Sequence, residues 1–355
     1  MILLNPGPVT LTSRVRAALA APDLCHREAE FADLQDHIRA RLRAVYDLGD
    51  DWAAVVLSAS GTAAVEAMIS TLAGDKARLL VVENGVYGER MTAIARVHGI
   101  ACDSLRLAWG EPVRAETLDA CLSKGGFSHV AVVHHETTTG RLNDLDAIGA
   151  VCAAHGARML VDGVSSFGAE AIDFDGLPVD ACAATANKCL HGAPGAAFVI
   201  TRRAALEVAH PRTLYLDLAS YCNKQDARST PFTPAIPAFY ALAEALAEHA
   251  EAGGWHARRA RYRALAGQLA NGLAALGIEA LVPAAESSCV LRGYRLPAGV
   301  DYASLHDGLK ADGFVIYAGQ GRLADSIFRI ATMGDVDAAD MTRLLASISA
   351  VVLAE

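Results

Sequence analysis

The sequence is short of positive charge. Its 355 residues carry 31 Lys and Arg against 40 Asp and Glu, a formal charge of −9. Nucleic acids and anionic membranes both want a basic face, so broad binding to either is excluded. A local cationic pocket for a small anion is not. Paired cysteines are also lacking. The eight stand singly at Cys25, Cys102, Cys121, Cys152, Cys182, Cys189, Cys222 and Cys289, with no CxxC spacing, so no metal site is expected. Several lie in apolar runs, where a buried free thiol is the simplest reading and a reducing cytoplasmic location the matching compartment. No apolar run reaches bilayer length, since the longest late one, Leu344 to Ala354, is too short to span. The N-terminus has no basic segment, and its apolar start breaks at Asn5-Pro6-Gly7-Pro8, unlike a signal peptide. Internal repeats and low-complexity segments are missing as well.

Apolar residues are plentiful, at 53% against 20% charged. That composition and length suit a soluble enzyme with one large and one small domain. The expected division is an N-terminal arm (1–15), a large domain (16–252) and a small C-terminal domain (253–355). Asn5 to Val9 can be neither helix nor central strand and reads as an extended arm with exposed backbone. Thr12 caps a short helix, and Phe31, Leu34, Ile38, Leu42 and Val45 recur at helical spacing over 29–47. Strands are predicted at 52–57, 78–82, 102–107, 129–134, 157–161, 181–185 and 196–200, with helices at 87–98, 114–123 and 144–155 between them. Runs such as Val130-Ala131-Val132-Val133 are continuous rather than alternating, which marks strands buried on both faces. The class is therefore α/β, a mostly parallel sheet flanked by helices. Residues 212–237 read as loop, with Pro231, Pro234 and Pro237. Long helices follow at 238–252 and 255–276, separated by a Gly253-Gly254 hinge. The remainder reads as a small α+β unit, with strands near 288–294, 313–317 and 326–331 and helices near 302–311 and 338–353.

Chemistry concentrates at predicted strand ends, where sheets of this type bind ligands. Asp162 ends the apolar run Ala157-Arg158-Met159-Leu160-Val161, and Lys188 sits in the small-residue turn Ala184 to Gly192. An aspartate so placed can hold a protonated ring nitrogen, and a lysine so placed can form an imine with an aldehyde. Ser60-Gly61-Thr62 opens a helix, whose N-terminal N–H groups and hydroxyls make an anion site or a plain N-cap. Tyr87 adds an aromatic face. Phosphate cradle, ring face, ring-nitrogen acid and imine lysine together are what pyridoxal 5′-phosphate asks of a protein. Arg329, a charge inside the apolar strand Phe328-Arg329-Ile330, is either an internal salt bridge or a clamp on a substrate carboxylate or phosphonate. Three other patterns are set aside. Gly319-Gln320-Gly321-Arg322-Leu323-Ala324 fits a dinucleotide fingerprint but leaves no room for the domain it needs. His134-His135-Glu136 places its histidines on opposite faces of a strand, so they cannot share a metal. Gly163 to Gly168 has the wrong spacing for a nucleophile elbow.

These residues carry a resemblance over nearly the whole chain. Pro6-Gly7-Pro8, Gly61 to Ala67, Asn84 to Met91, His134 with Glu136 to Gly140, Ser165 to Gly168, Ala186 to Cys189, Leu216-Asp217-Leu218, Gly313 to Tyr317 and Phe328 to Ile330 occur in the order seen in class V (fold type I) aminotransferases. Within that family the blocks are most similar to the branch that moves the amino group of 2-aminoethylphosphonate to pyruvate. The resemblance implies a homodimer with shared active sites, taking a small amine donor and a 2-oxo acid acceptor. It implies that Lys188 carries the cofactor and moves the proton, that Asp162 keeps the ring nitrogen protonated and that Tyr87 stacks on the ring. Ser60, Gly61 and Thr62 would hold the phosphate, Thr138 would lie near the ring hydroxyl, and Thr233 would complete the phosphate site of the other subunit. Gly7 and Arg329 would face the substrate. Two segments depart from the pattern. Cys25-His26-Arg27-Glu28 replaces a Cys-Thr-Trp type of segment, and Thr230 to Pro234 looks more like alanine–glyoxylate enzymes. His26 and Arg27 either supply charge for a phosphonate or cap a turn. The alternative donors are alanine, serine or phosphonoalanine, with glyoxylate or pyruvate as acceptor. A sulfur-transferring relative would need a mobile cysteine at 318–325, where there is none.

Overall fold

The computed structural model describes residues 1–74 and 77–353. A seven-stranded sheet forms its centre. From one edge to the other the strands are Trp52–Leu57, Ala197–Arg202, Val179–Thr185, Arg158–Asp162, His129–Val133, Arg78–Glu83 and Ala101–Arg106. The last five run parallel, and Ala197–Arg202 is antiparallel to both of its neighbours. The unbroken apolar runs are explained by burial on both faces. Val56, Val82, Val130, Val132 and Val161 point into one apolar cluster, while Val55, Val81, Ala131 and Leu160 point into the other. Successive residues of a strand face opposite ways, so a strand covered by helices on both sides must be apolar throughout.

Helix caps follow the sequence signals. Thr12 accepts from the Val15 amide at 3.2 Å and starts Ser13–Ala18. The amphipathic helix is Ala29–Ala44. Gly253 and Gly254 both have positive φ (96° and 70°) and join helix Ile236–Glu251 to helix Gly254–Ala275.

Several expectations are corrected. The segment 212–237 is not all loop: Asp217 accepts from the Ser220 amide at 3.0 Å and caps a helix, Leu218–Asp226. A short helix, Arg203–Glu207, also follows the sheet. The start of the chain is not an exposed arm. Ile2–Leu3 pairs in parallel with Phe314–Val315, and Leu4 is buried with Leu269, Phe314, Phe328 and Leu344. Strand 313–317 divides at Ile316. Phe314–Val315 pairs with the N-terminus, and Tyr317–Ala318 joins Ile327–Ala331 beside Leu291–Arg295. The N-terminal strand thus delivers Pro6 and Gly7 to the side chain of Lys188. No helix among the described residues is long and apolar enough to cross a membrane.

Candidate active site

The five parallel strands and Trp52–Leu57 all end at one edge of the sheet. The loops after them bring Ser60, Gly85 to Tyr87, Glu136 to Thr138, Asp162 and Lys188 to a single rim. Ser60 is the N-cap of helix Gly61–Leu72, yet its hydroxyl makes no capping bond. The first intrahelical bond is from the Ala64 amide to the Ser60 carbonyl. The N–H groups of Gly61, Thr62 and Ala63 thus have no acceptor within the helix, and the hydroxyl stays available to an anion. A Cβ on Gly61 would lie 2.9 Å from Val164 Cγ1, so the helix can approach the loop after Asp162 only as glycine.

Lys188 is the one lysine among the described residues that is not exposed. Burial lowers its pKa to about 8, and the charge of Asp162 acts on it in the opposite sense. Its Nζ donates to the Pro6 carbonyl. Gly7 sits against the same side chain at φ 117°, and a Cβ there would fall 2.7 to 2.9 Å from Lys188 Cδ, Cε and Nζ. Glycine at position 7 is therefore needed for both space and backbone conformation. Asp162 is the last residue of its strand and is buried. It accepts from the Val164 amide at 2.9 Å, and burial raises its pKa to about 6. The charges of Arg90 and Lys188 act against the rise, but neither forms an ion pair with Asp162, and a protonated ring nitrogen would supply that contact.

Arg329 has no carboxylate partner among the described residues, so the internal salt bridge is not formed. Its Nε donates to the Ala318 carbonyl and its Nη1 to the Thr137 carbonyl, each at 2.9 Å. Burial lowers its pKa, and its charge also acts on Lys188. It is a desolvated cation facing the same space as the lysine.

Glu136, quoted in the sequence only within a motif, anchors this rim. Its carboxylate accepts from the amides of Tyr87 (3.2 Å), Gly88 (3.3 Å) and Thr138 (3.1 Å) and from Thr138 Oγ1 (2.6 Å). Thr138 Oγ1 in turn accepts from the Val86 amide at 3.1 Å. A Cβ on Gly85 would lie 2.2 Å from the Glu136 carboxyl carbon, so the carboxylate reaches the helix start only past a glycine. Burial pushes Glu136 up to about 7 in spite of these donors. Arg90 was also missed. It lines a cavity with Thr62, Val65, Tyr87, Met91, Asp162 and Val164. The only local signal for either residue was its place next to Tyr87 or Thr138.

His134 lies between two strands rather than within one, and both imidazoles bond the same loop, so the expected alternation across a strand does not apply to them. His134 Nδ1 pairs with Ser166 Oγ at 3.0 Å and His135 Nδ1 with the Ser165 carbonyl at 2.9 Å. Among the described residues no His, Cys, Asp and Glu are grouped to hold a metal. Three site candidates are not brought into the cluster by any hydrogen bond or ion pair. His26 is half-buried, Thr233 is exposed, and Arg27 is exposed and donates to the Thr230 carbonyl at 3.2 Å. That bond ties together the two segments that depart from the family pattern. A separate cavity of about 650 Å³, lined by His37, Arg41, Trp255 and His256 among others, shares no residue with the rim.

The residues present fit pyridoxal phosphate: an uncapped helix N-terminus for the phosphate, an acid in need of a cation, and a buried lysine with a lowered pKa. Comparison with known proteins agrees. The model of the aminotransferase class-V family matches residues 13–320. The 2-aminoethylphosphonate–pyruvate transaminase of Burkholderia thailandensis is 39% identical over 353 residues, covering 98% of this chain and 95% of the relative. The enzyme of the same name from Syntrophobacter fumaroxidans is 38% identical, covering 97% and 94%. Among solved structures, a subgroup IV aspartate aminotransferase from Thermus thermophilus matches with a TM-score of 0.92 at 29% identity, covering 100% and 99%. An alanine–glyoxylate aminotransferase from Nostoc matches with 0.92 at 27%, covering 99% and 95%.

Proposed function

This chain belongs to the class-V aminotransferases, and we propose that it transfers the amino group of 2-aminoethylphosphonate to pyruvate, with pyridoxal 5′-phosphate as cofactor. The observation that carries the reading is Arg329, a buried guanidinium that among the described residues bonds two carbonyls and no carboxylate, within charge range of Lys188. The substrate names of the relatives at 38–39% identity support it.

The cofactor, when bound, supplies an aldehyde for the donor amine and a ring that accepts electron density. The chain's own groups do the rest. Asp162 places a negative charge where the ring nitrogen would be held, and pairing there would stabilise the carboxylate, whose pKa burial raises to about 6. Lys188, with a pKa of about 8, is partly neutral near pH 7.5. Its Nζ can take the proton from the amino-bearing carbon of the donor and return it at the next step. Arg329 offers a planar fork to a phosphonate in one half-reaction and to the pyruvate carboxylate in the other. Pro6 and Gly7 close the space above the lysine and keep water from it. Ser60, Gly61 and Thr62 receive the phosphate.

The site is completed in a homodimer on this reading. Thr233 is exposed in one protomer. Beside it Tyr215 stacks on Phe232 at 4.9 Å and bonds the Ser58 carbonyl, while Leu214 is 85% exposed. An apolar face beside the phosphate cup suits a second copy. The test is a half-reaction. The yellow holoenzyme is mixed with one amine at a time, and loss of the imine absorbance is followed. Bleaching by 2-aminoethylphosphonate, with alanine formed once pyruvate is added, is the expected result. Bleaching by alanine, serine or phosphonoalanine alone would move the enzyme to another branch of the family. Sedimentation should give a dimer.

A further inference from the structure

We propose that Arg90 is the cationic member of the phosphate cup, neutralising the cofactor phosphate together with the Ser60 and Thr62 hydroxyls and the helix N-terminus. The inference rests on the reading of this rim as a pyridoxal phosphate site.

Arg90 lies in the first turns of helix Val86–Val97. Its Nη1 donates to Thr62 Oγ1 at 3.1 Å, which puts the guanidinium on the hydroxyl expected to bind phosphate. Its Cζ stands 4.7 Å from the centroid of the Tyr87 ring, a cation–π contact that fixes the side chain on this wall. It lines the cavity that also holds Asp162 and Thr62. No carboxylate pairs with Arg90 among the described residues. The adjacent Glu89 is turned away, accepting from Trp109 Nε1 at 2.8 Å.

The charges of the site require such a group. A phosphate monoester near neutral pH carries between about one and two negative charges. A helix N-terminus offers the equivalent of about half a positive charge, and the hydroxyls are neutral. On the proposed function Lys188 is assigned to the cofactor aldehyde and Arg329 to the substrate anion, so neither is counted toward the phosphate. Asp162 is a negative charge in the same cavity. Without Arg90 the cup would hold the anion on partial charges only. A guanidinium also matches phosphate geometry with two parallel N–H donors, which an ammonium cannot do.

Apoprotein is titrated with pyridoxal phosphate and, separately, with pyridoxal, which keeps the aldehyde and ring but lacks the phosphate. Binding is read by absorbance and tyrosine fluorescence. In Arg90→Met the dissociation constant for pyridoxal phosphate should rise about 10- to 100-fold. That for pyridoxal should stay within about twofold. Arg90→Lys keeps the charge and should lose about three- to tenfold for pyridoxal phosphate; it stands in if Arg90→Met does not fold. Inorganic phosphate should raise the melting temperature of wild-type apoprotein and not that of Arg90→Met. An equal loss for both ligands, or no loss, overturns the inference and makes Arg90 a wall residue. Wild type that fails to take up pyridoxal phosphate overturns the reading of the site itself.

Discussion

Two buried acids lie a few residues apart in sequence and show opposite designs. Glu170 is fully provided for. It accepts from Ser288 Oγ at 2.7 Å and the Cys289 amide at 2.9 Å, with Cys289 Sγ at 3.2 Å and Arg259 Nε within ion-pair reach at 3.2 Å. Burial works against it, yet the Ser288 and Cys289 bonds and the nearby His134 leave its pKa lowered. Asp162 has a single amide donor and is pushed up to about 6 by burial. Glu170 ties the chain's C-terminal part to the loop after the Asp162 strand. Asp162 faces the rim with Lys188 and Arg329, and none of the three forms an ion pair among the described residues. A fold tolerates a buried charge in two ways: by satisfying it internally, or by leaving it for a ligand to satisfy. On the function proposed above, the unsatisfied set is where the ligand would go.

The sharpest way to break this contrast is through turnover. Lys188→Ala should lower transamination by at least about 10⁴-fold and remove the imine absorbance, since both the covalent attachment and the proton carrier go. Asp162→Asn keeps the shape and removes the charge, and should cost about 10²- to 10³-fold in kcat. Arg329→Lys should act mostly on KM, raising it about 10- to 100-fold for the phosphonate and for pyruvate, because the two-pronged fit is lost. Glu170→Gln should leave the turnover of folded enzyme near wild type.

Stability should then run the other way. Glu170 has a lowered folded pKa, so its contribution is present above the unfolded value of 4.5 and fades as pH falls through the folded one. Glu170→Gln should cost about 2 to 4 kcal/mol near neutral pH. Asp162 has a folded pKa of about 6 against 3.8 unfolded, so its ionisation costs stability as pH rises between those values. Asp162→Asn apoprotein should therefore be more stable than wild type at pH 7.5, by up to about 3 kcal/mol, with no difference below about pH 4. Melting curves of both variants across pH check the pair. The same sign for both would remove the distinction.

Much of the fold is legible in the sequence. Alternating strands and helices, continuous apolar runs, the Thr12 cap and the Gly253-Gly254 break are local signals, and each forms as read. Asp162 and Lys188 were singled out by strand-end position and residue type, and the structure places Asp162 at the end of its strand within charge range of Lys188. The cap that gives helix Leu218–Asp226 away, Asp217 with the Ser220 amide, was also local, but the prolines at 231, 234 and 237 masked it. Glu136 and Arg90 were not legible as site residues, because their partners are 48 and 28 positions away. Nor was the state of Arg329, since whether a buried arginine meets a carboxylate or a carbonyl depends on which strand lies beside it.

The sequence by itself determined the layered α/β architecture and put forward Asp162 and Lys188 as candidates for the reacting pair, because hydrophobic period and strand-end chemistry are properties of short segments. Only the tertiary structure decided which charges remain unpaid by a protein partner. That depends on groups far apart in the chain: the Pro6 carbonyl over Lys188 is separated from it by 182 residues, and Thr137 from Arg329 by 192. Contacts of that span are set by how sheet edges and chain ends are brought together, and desolvation at the meeting point turns ordinary side chains into reactive ones.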